Sequence, residues 1–162
     1  MKTLLLVRHA KSSWDDEGLA DRDRSLSDRG ERDAPKMGKR LARREVEPGR
    51  ILSSPAVRAL ATARIMAKQL GYPRKRIAVD ERLYPGEADV LLEAIREQGD
   101  ELECVMLVSH NPGLTELAHR FAGEITDLPT CAVAEFEFDA ASWQQIGRAG
   151  LVKCRLDYPK KA

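Results

Sequence analysis

Residues 4–9 read Leu-Leu-Leu-Val-Arg-His, four apolar side chains followed by two basic ones. An unbroken apolar run of this length is typical of a short central strand that is buried on both faces of a sheet. Arg8 and His9 then stand where such a strand ends. In open parallel sheets, ligands bind at the carboxyl ends of the strands. These six residues therefore predict a central strand and also the place of a ligand site.

Similar runs recur along the chain and alternate with helical patterns. The runs at residues 51–52, 77–79 and 104–108 predict further strands, and the clearest buried strand is the last of them. Alternation of strands with helices favours a three-layer αβα fold with a mostly parallel central sheet. The last part of the chain differs, because apolar and polar residues alternate there. We expect antiparallel edge strands at residues 132–138, 143–146 and 151–156.

The helical patterns have recognisable starts and stops. Helices are predicted over about residues 28–45, 56–70 and 89–98, and a fourth from Asn111-Pro112 to Gly123. Ser27 is a suitable cap for the first helix, although Pro35 inside it predicts a kink or a later start. Asn111 followed by Pro112 is a typical helix opening. Such an opening leaves backbone N–H groups free for an anion.

The composition sets further limits. The chain has 162 residues, of which 43% are hydrophobic and 33% are charged, as in ordinary globular proteins, and we expect one domain over residues 1–162. A net charge of +1 gives no general attraction to nucleic acid or membranes. The apolar start is interrupted by Arg8, His9 and Lys11, so it does not resemble a signal peptide, and we expect a cytoplasmic location. Three separated cysteines predict neither a disulfide framework nor a zinc site.

Basic side chains collect at the ends of the predicted strands. His9 follows the first strand, His110 follows the strand at 104–108, and Arg58 lies in the first turn after Ser53-Ser54-Pro55. Guanidinium groups match phosphate oxygens in a bidentate manner, and imidazole serves both as a nucleophile and as a proton carrier. Together with Arg8, these residues predict a site for a phosphoryl group.

The same residues lie in motifs that resemble those of the histidine phosphatase superfamily. Residues 8–15, Arg-His-Ala-Lys-Ser-Ser-Trp-Asp, resemble the motif that opens the family's active site. Residues 53–62 resemble the motif with the phosphate-binding arginine, residues 108–112 the motif with the second histidine, and Leu26-Ser27 with Gly30 a common helix start. The short chain is most similar to the SixA-type phosphohistidine phosphatases. This resemblance implies a phosphoglycerate mutase-like fold.

The resemblance also implies roles for individual residues. His9 would attack phosphorus and become phosphorylated, while Arg8, Arg58 and His110 would hold the phosphoryl oxygens without a metal ion or cofactor. Further contacts with the substrate are expected from three neighbours of these residues, namely Lys11, Ser12 and Asn111. Three positions depart from the family pattern: Ala10 replaces glycine, Lys11 replaces glutamate, and Asp15 replaces the asparagine of the mutases.

The general acid is predicted from one short match. Glu81-Arg82-Leu83-Tyr84 resembles a motif of the mutases whose glutamate protonates the leaving group, so Glu81 is the candidate. Glu87 and Asp89 are alternatives in the following loop. A phosphohistidine substrate would need no strong acid, since imidazole leaves more readily than an alkoxide.

Three functions remain open. A phosphatase acting on phosphohistidine in another protein is favoured, because the chain has little room for the segments that enclose small substrates in the mutases. A phosphatase for small phosphomonoesters that uses Glu81 is the alternative. A non-catalytic phosphate-binding module is the third, and the pair of histidines argues against it. The charged residues 21–24 are interpreted as a solvated loop, with ligand contact by Arg24 as the alternative, and Trp14 as packing that loop or lining the entrance.

Overall fold

The computed structural model describes residues 1–148 and 150–162. Its centre is a six-stranded sheet with the order β3-β2-β4-β1-β5-β6. The strands are β1 (Lys2–Arg8), β2 (Arg50–Ser53), β3 (Ala78–Val79), β4 (Cys104–Ser109), β5 (Val133–Phe138) and β6 (Leu151–Asp157). Strands β3, β2, β4 and β1 run parallel to one another. Strand β5 is antiparallel to β1, and β6 is antiparallel to β5, so these two strands form one side of the sheet. The predicted fold class is confirmed.

The central position of β1 brings the two histidine-bearing segments together. β1 pairs in parallel with β4 on one side and antiparallel with β5 on the other. In the register with β4, Arg8 lies opposite Ser109. His9 and His110 therefore follow two adjacent strands at the same edge of the sheet.

Helices cover both faces of the sheet. They are α1 (Asp28–Arg43), α2 (Val57–Leu70), α3 (Ala88–Arg96) and α4 (Gly113–Phe121). Leu5 and Val7 of β1 share an apolar cluster with α1 and α2, while Leu4 and Leu6 share one with α3 and α4. Successive residues of a strand point to opposite faces, so a fully apolar β1 follows from burial on both sides.

Helix α1 begins as predicted and passes through its proline. The Ser27 hydroxyl accepts the backbone N–H of Gly30 at 3.2 Å, which satisfies one free donor of the first turn. Pro35 lies inside the helix without ending it, contrary to the predicted late start. Its neighbours Ala34, Met37 and Leu41 are buried. We attribute the continuity of the helix to this packing, which offsets the lost hydrogen bond.

Two other local predictions were wrong. Residues 143–146 form no strand, because Trp143–Gln145 is a 3-10 turn. The Ser142 hydroxyl caps it, and the Gln145 side chain returns to the backbone of Ser142. Reciprocal capping of this kind stabilises a turn, and the apolar pattern of the segment gives no sign of it.

The fourth helix begins one residue later than expected, at Gly113. Its first N–H groups are not free, since those of Leu114 and Thr115 donate to the His110 carbonyl and to Asn111 Oδ1. The predicted anion site at this helix start is therefore mostly closed.

None of the helices within residues 1–148 and 150–162 combines the length and the apolar character needed to cross a bilayer.

Candidate active site

His9 leaves the end of β1 with both ring nitrogens engaged. Nδ1 lies 2.8 Å from the carbonyl oxygen of Ala10, which can only accept, so this nitrogen carries the proton. Nε2 then keeps its lone pair and accepts the Nε–H of Arg58 at 3.3 Å. The imidazole is thus held in the tautomer in which Nε2 is a nucleophile.

His110 faces His9 from the end of β4. The two ring centroids are 5.0 Å apart, with the planes inclined at 54°. Nε2 of His110 lies 2.7 Å from the Ser54 hydroxyl, which also accepts the backbone N–H of Ala56. Nδ1 is buried and has no hydrogen-bond partner among the residues that the structure describes. One nitrogen of His110 is therefore anchored, and the other is buried without a partner among the described residues.

Both imidazoles are uncharged at neutral pH. Burial lowers the pKa of His9 to about 4, and the nearby charges of Arg58, Arg8 and Arg24 contribute to the shift. Burial likewise lowers the pKa of His110 to about 3, helped by His9 and Arg58. Positive charge in this site belongs to guanidinium groups, while the two imidazoles remain available for bond formation and hydrogen bonding.

Arg8 and Asn111 are tied to the same backbone oxygen. Arg8 Nη1 donates to the carbonyl of Leu128 at 2.9 Å, and Asn111 Nδ2 donates to it at 2.9 Å. Asn111 Oδ1 accepts the hydroxyl and the backbone N–H of Thr115. Arg8 Nε is buried without a partner among the described residues. Arg8 thus retains a free donor, whereas the Asn111 amide is already used within the protein.

Arg58 and the turn after His9 are joined through Thr62, one helical turn further along α2. The Thr62 hydroxyl accepts the backbone N–H of Ala10 at 3.0 Å and donates to the Arg58 carbonyl at 2.8 Å. Ala10 itself is buried, and its φ is not positive. Alanine is therefore tolerated where the family has glycine, since the backbone avoids the conformation that only glycine adopts readily.

Ser12 and Lys11, the predicted substrate contacts, differ in their exposure and in their partners. Ser12 is buried, and its hydroxyl accepts Nη1 of Arg24 at 2.6 Å. The Lys11 side chain is exposed, whereas its carbonyl accepts the backbone N–H and the hydroxyl of Ser27. A side chain at Gly30 would come within 2.2 Å of this carbonyl. The close approach explains why a glycine stands at this helix start.

The loop interpreted as solvated contains two residues of the site. Arg24 is buried and pairs with Asp21 Oδ1 at 3.0 Å, and Asp21 Oδ2 pairs with Arg58 Nη2 at 2.9 Å. Tyr84 also donates to Asp21, at 2.8 Å. Trp14 covers the Arg24 guanidinium, 3.5 Å from the ring centroid, while remaining exposed. The sequence did not indicate this role, because mixed charges are typical of a solvated loop and no sequence pattern links the segment to Arg58.

Two of the three candidate acids lie in ion pairs. Both oxygens of Glu81 accept Nη2 of Arg22, at 2.9 and 2.7 Å, on an exposed surface. Asp89 pairs with Arg120 at 2.6 Å, and Glu87 is exposed beside the start of α3. Glu81 as the acid stays a prediction, and its described side-chain contacts are with Arg22.

Within residues 1–148 and 150–162, no group of three or more His, Cys, Asp or Glu side chains is arranged to hold a metal ion. The side chains that converge are instead three arginines and two neutral histidines, which suit a tetrahedral oxyanion.

Comparisons with known proteins agree with this geometry. The chain is 33% identical over 152 residues to an uncharacterised chloroplastic protein of Arabidopsis thaliana, a match that covers 89% of this chain and 70% of the relative. Its fold resembles that of SixA from Agrobacterium tumefaciens, with a TM-score of 0.80, 27% identity, and coverage of 95% and 97% of the two chains. A structure of the protein histidine phosphatase SixA with tungstate has a TM-score of 0.79, 24% identity, and coverage of 94% and 95%. Residues 4–85 match the family described as Histidine phosphatase superfamily (branch 1), and the chain belongs to that superfamily.

Proposed function

We propose that this chain is a phosphohistidine phosphatase, in which His9 accepts a phosphoryl group from a phosphorylated histidine of another protein. Membership of the superfamily supports phosphatase activity in general. The likeness to SixA, at 27% identity over nearly the whole of both chains, supports this narrower substrate class. The geometry of the site supplies the chemical argument.

The first step is attack by Nε2 of His9 on phosphorus. The Ala10 carbonyl accepts Nδ1–H at 2.8 Å, so it stabilises the positive charge that develops on the ring as the new P–N bond forms. Water protonates the other ring nitrogen of the substrate's phosphohistidine, the P–N bond breaks, and the imidazole leaves as a neutral molecule with the electron pair of that bond. Water then hydrolyses phosphorylated His9, which returns the electron pair to Nε2 and releases phosphate.

Two buried donors of the site have no partner among the residues that the structure describes, and we assign them to the equatorial oxygens. Arg8 Nε is one of them, and His110 Nδ1 is another. The Ser54 hydroxyl accepts Ala56 N–H, so its own proton is free for His110 Nε2. That arrangement leaves the proton of neutral His110 on Nδ1, from which it is donated to a phosphoryl oxygen. Arg58 supplies positive charge through its Nε–H, which faces His9 Nε2 at 3.3 Å and would donate there to the phosphoryl group.

The observation that carries this proposal is the pairing of the carboxylates around the site with tyrosine and arginine donors. The hydrogen bond from Tyr84, with those from Arg58 and Arg24, holds the pKa of Asp21 well below its usual range. Glu81 is bound through both oxygens to Arg22. An alkoxide leaving group needs a protonated acid, whereas an imidazole leaving group does not. The pairing therefore favours a phosphoramidate such as phosphohistidine over an alkyl ester.

The test compares leaving groups on one enzyme preparation. A protein labelled with phosphate on histidine, p-nitrophenyl phosphate and an alkyl phosphomonoester are offered at equal concentration. We expect rapid release from phosphohistidine, slower release from the activated ester and little from the alkyl ester. EDTA should leave these rates unchanged, because the arginines supply the positive charge and no step uses a metal ion. Alkyl ester hydrolysis as fast as phosphohistidine hydrolysis would refute the proposal.

His9→Ala is the matched control. It should abolish release and prevent trapping of an acid-labile, alkali-stable phosphoenzyme during turnover of the labelled protein. A wild-type chain that binds phosphate but yields no phosphoenzyme would instead favour the non-catalytic binding module.

A further inference from the structure

Asp21 is the most highly connected carboxylate near the two histidines. It lies in the 3-10 turn Asp21–Asp23, which has no buried residue. Oδ2 accepts Arg58 Nη2 at 2.9 Å and the Tyr84 hydroxyl at 2.8 Å. Oδ1 accepts two nitrogens of Arg24, Nε at 3.2 Å and Nη2 at 3.0 Å. An exposed turn thus sends one side chain to two of the three arginines of the site.

The contacts of Asp21 with Arg58 involve one particular edge of the guanidinium. Nη1 donates to the Asp21 backbone carbonyl at 2.6 Å and Nη2 to its carboxylate at 2.9 Å, so the terminal edge is occupied. The lateral edge consists of Nε–H and the second N–H of Nη2. Nε on that edge faces His9 Nε2 at 3.3 Å. Because a guanidinium is planar and rigid, fixing its terminal edge also fixes the direction of its lateral edge.

We propose that Asp21 is a positioning residue, which holds Arg58 so that its lateral edge faces the phosphoryl group during transfer to His9. The inference rests on the proposed function, in which Arg58 binds the transferred group. Asp21 itself does not touch the substrate. Its carboxylate also lies between Arg24 and Arg58, whose like charges would otherwise repel each other and turn Arg58 away from His9.

A different role for the same carboxylate would change the affinity for anions in the opposite direction. If Asp21 merely competed with phosphate for the arginines, removing its charge would tighten the binding of every anion by a similar factor. A positioning role affects the trigonal bipyramidal geometry of transfer more than the tetrahedral ground state, since misplacement of a group by about 1 Å can cost on the order of 10²-fold. Vanadate imitates the former geometry and inorganic phosphate imitates the latter.

The experiment compares Asp21→Asn with Asp23→Asn, a matched change in the same exposed turn. Asp23 has no side-chain hydrogen bond or ion pair among the described residues. Calorimetry measures the binding of vanadate and of phosphate. Steady-state kinetics with p-nitrophenyl phosphate give kcat and KM, and thermal unfolding gives Tm. For Asp21→Asn we expect the preference for vanadate over phosphate to fall about tenfold or more, and kcat to fall more than KM changes. Asp23→Asn should equal wild type, and Asp21→Glu should retain more of the preference than Asp21→Asn.

Three results would overturn the positioning role. These are an unchanged preference in Asp21→Asn, equal tightening of both anions without loss of kcat, or loss of Tm with the preference intact. The anion measurements need no phosphohistidine protein, so they are independent of the substrate proposed above. A wild-type chain with no preference for vanadate would overturn both proposals, whereas failure to release phosphate from phosphohistidine alone would overturn only the proposed function.

Discussion

Acidification from pH 7 to pH 5 is expected to destabilise the protein through its two buried histidines. In the folded chain the pKa of His9 is lowered to about 4 and that of His110 to about 3, while an unfolded histidine titrates near 6.5. Between these values the unfolded chain binds protons that the folded chain does not, so stability falls as the pH falls. At pH 5 each histidine lies about 1.5 units below its unfolded pKa, which corresponds to about 2 kcal/mol, or about 4 kcal/mol for both.

Urea unfolding at pH 7 and pH 5, in buffer free of phosphate, measures this loss. The fluorescence of Trp143 is a suitable probe because this side chain is fully buried, whereas Trp14 is 68% exposed. The range from pH 5 to pH 7 lies above the pKa values of the acidic groups whose pKa is lowered, such as Asp21 and Asp80. The variant with His9 and His110 both changed to Gln should lose most of the pH dependence. Equal free energies of unfolding at the two pH values in the wild type, or the same fall in the double variant, would refute the reasoning.

Other predictions follow from single contacts. Glu81→Gln should change phosphatase rates with any substrate by less than about twofold, since its side chain is exposed and pairs with Arg22, and a surface ion pair of this kind contributes little; a strong loss confined to alkyl esters would support the alternative of a monoesterase. Ser54→Ala removes the partner of His110 Nε2 and should lower kcat by about tenfold with little change in Tm, as measured by steady-state kinetics and thermal unfolding. Gly30→Ala forces the Lys11 carbonyl to move, and we expect about 1–3 kcal/mol lower stability in urea unfolding together with reduced activity.

Much of the fold is predictable because its signals are local. The apolar run at residues 4–7 lies in the fully buried part of β1, and the run at 104–108 lies in β4. Burial on both faces of a parallel sheet leaves such an unbroken pattern in the sequence. The strand predicted at residues 143–146 was wrong because apolar side chains indicate burial and not the backbone conformation. The capping by Ser142 and Gln145 makes this segment a 3-10 turn.

The candidate site was predictable only in part. His9 and His110 follow strands that the sheet places side by side, so position in a parallel sheet was enough to bring them together. Arg24 and Asp21 could not be found in this way. Asp21 reaches Arg58 across 37 positions of sequence, and a turn of alternating charges looks solvated unless its partner is known. Long-range pairing of this kind leaves no periodic signal.

The carboxylates show why residue identity alone does not predict a catalytic acid. Residues 81–84 keep the Glu-Arg-x-Tyr pattern of the mutases, yet Arg22, 59 positions away, binds both oxygens of Glu81. Tyr84 of the same pattern donates to Asp21, which contributes to keeping that carboxyl ionised. A site with neutral histidines and an ionised Asp21 can stabilise charge on a phosphoryl group, but Asp21 is not a proton donor for a departing alkoxide. In the proposed function, the pairing of charges around the phosphoryl site favours phosphohistidine over an alkyl ester, and the leaving-group comparison tests that preference directly.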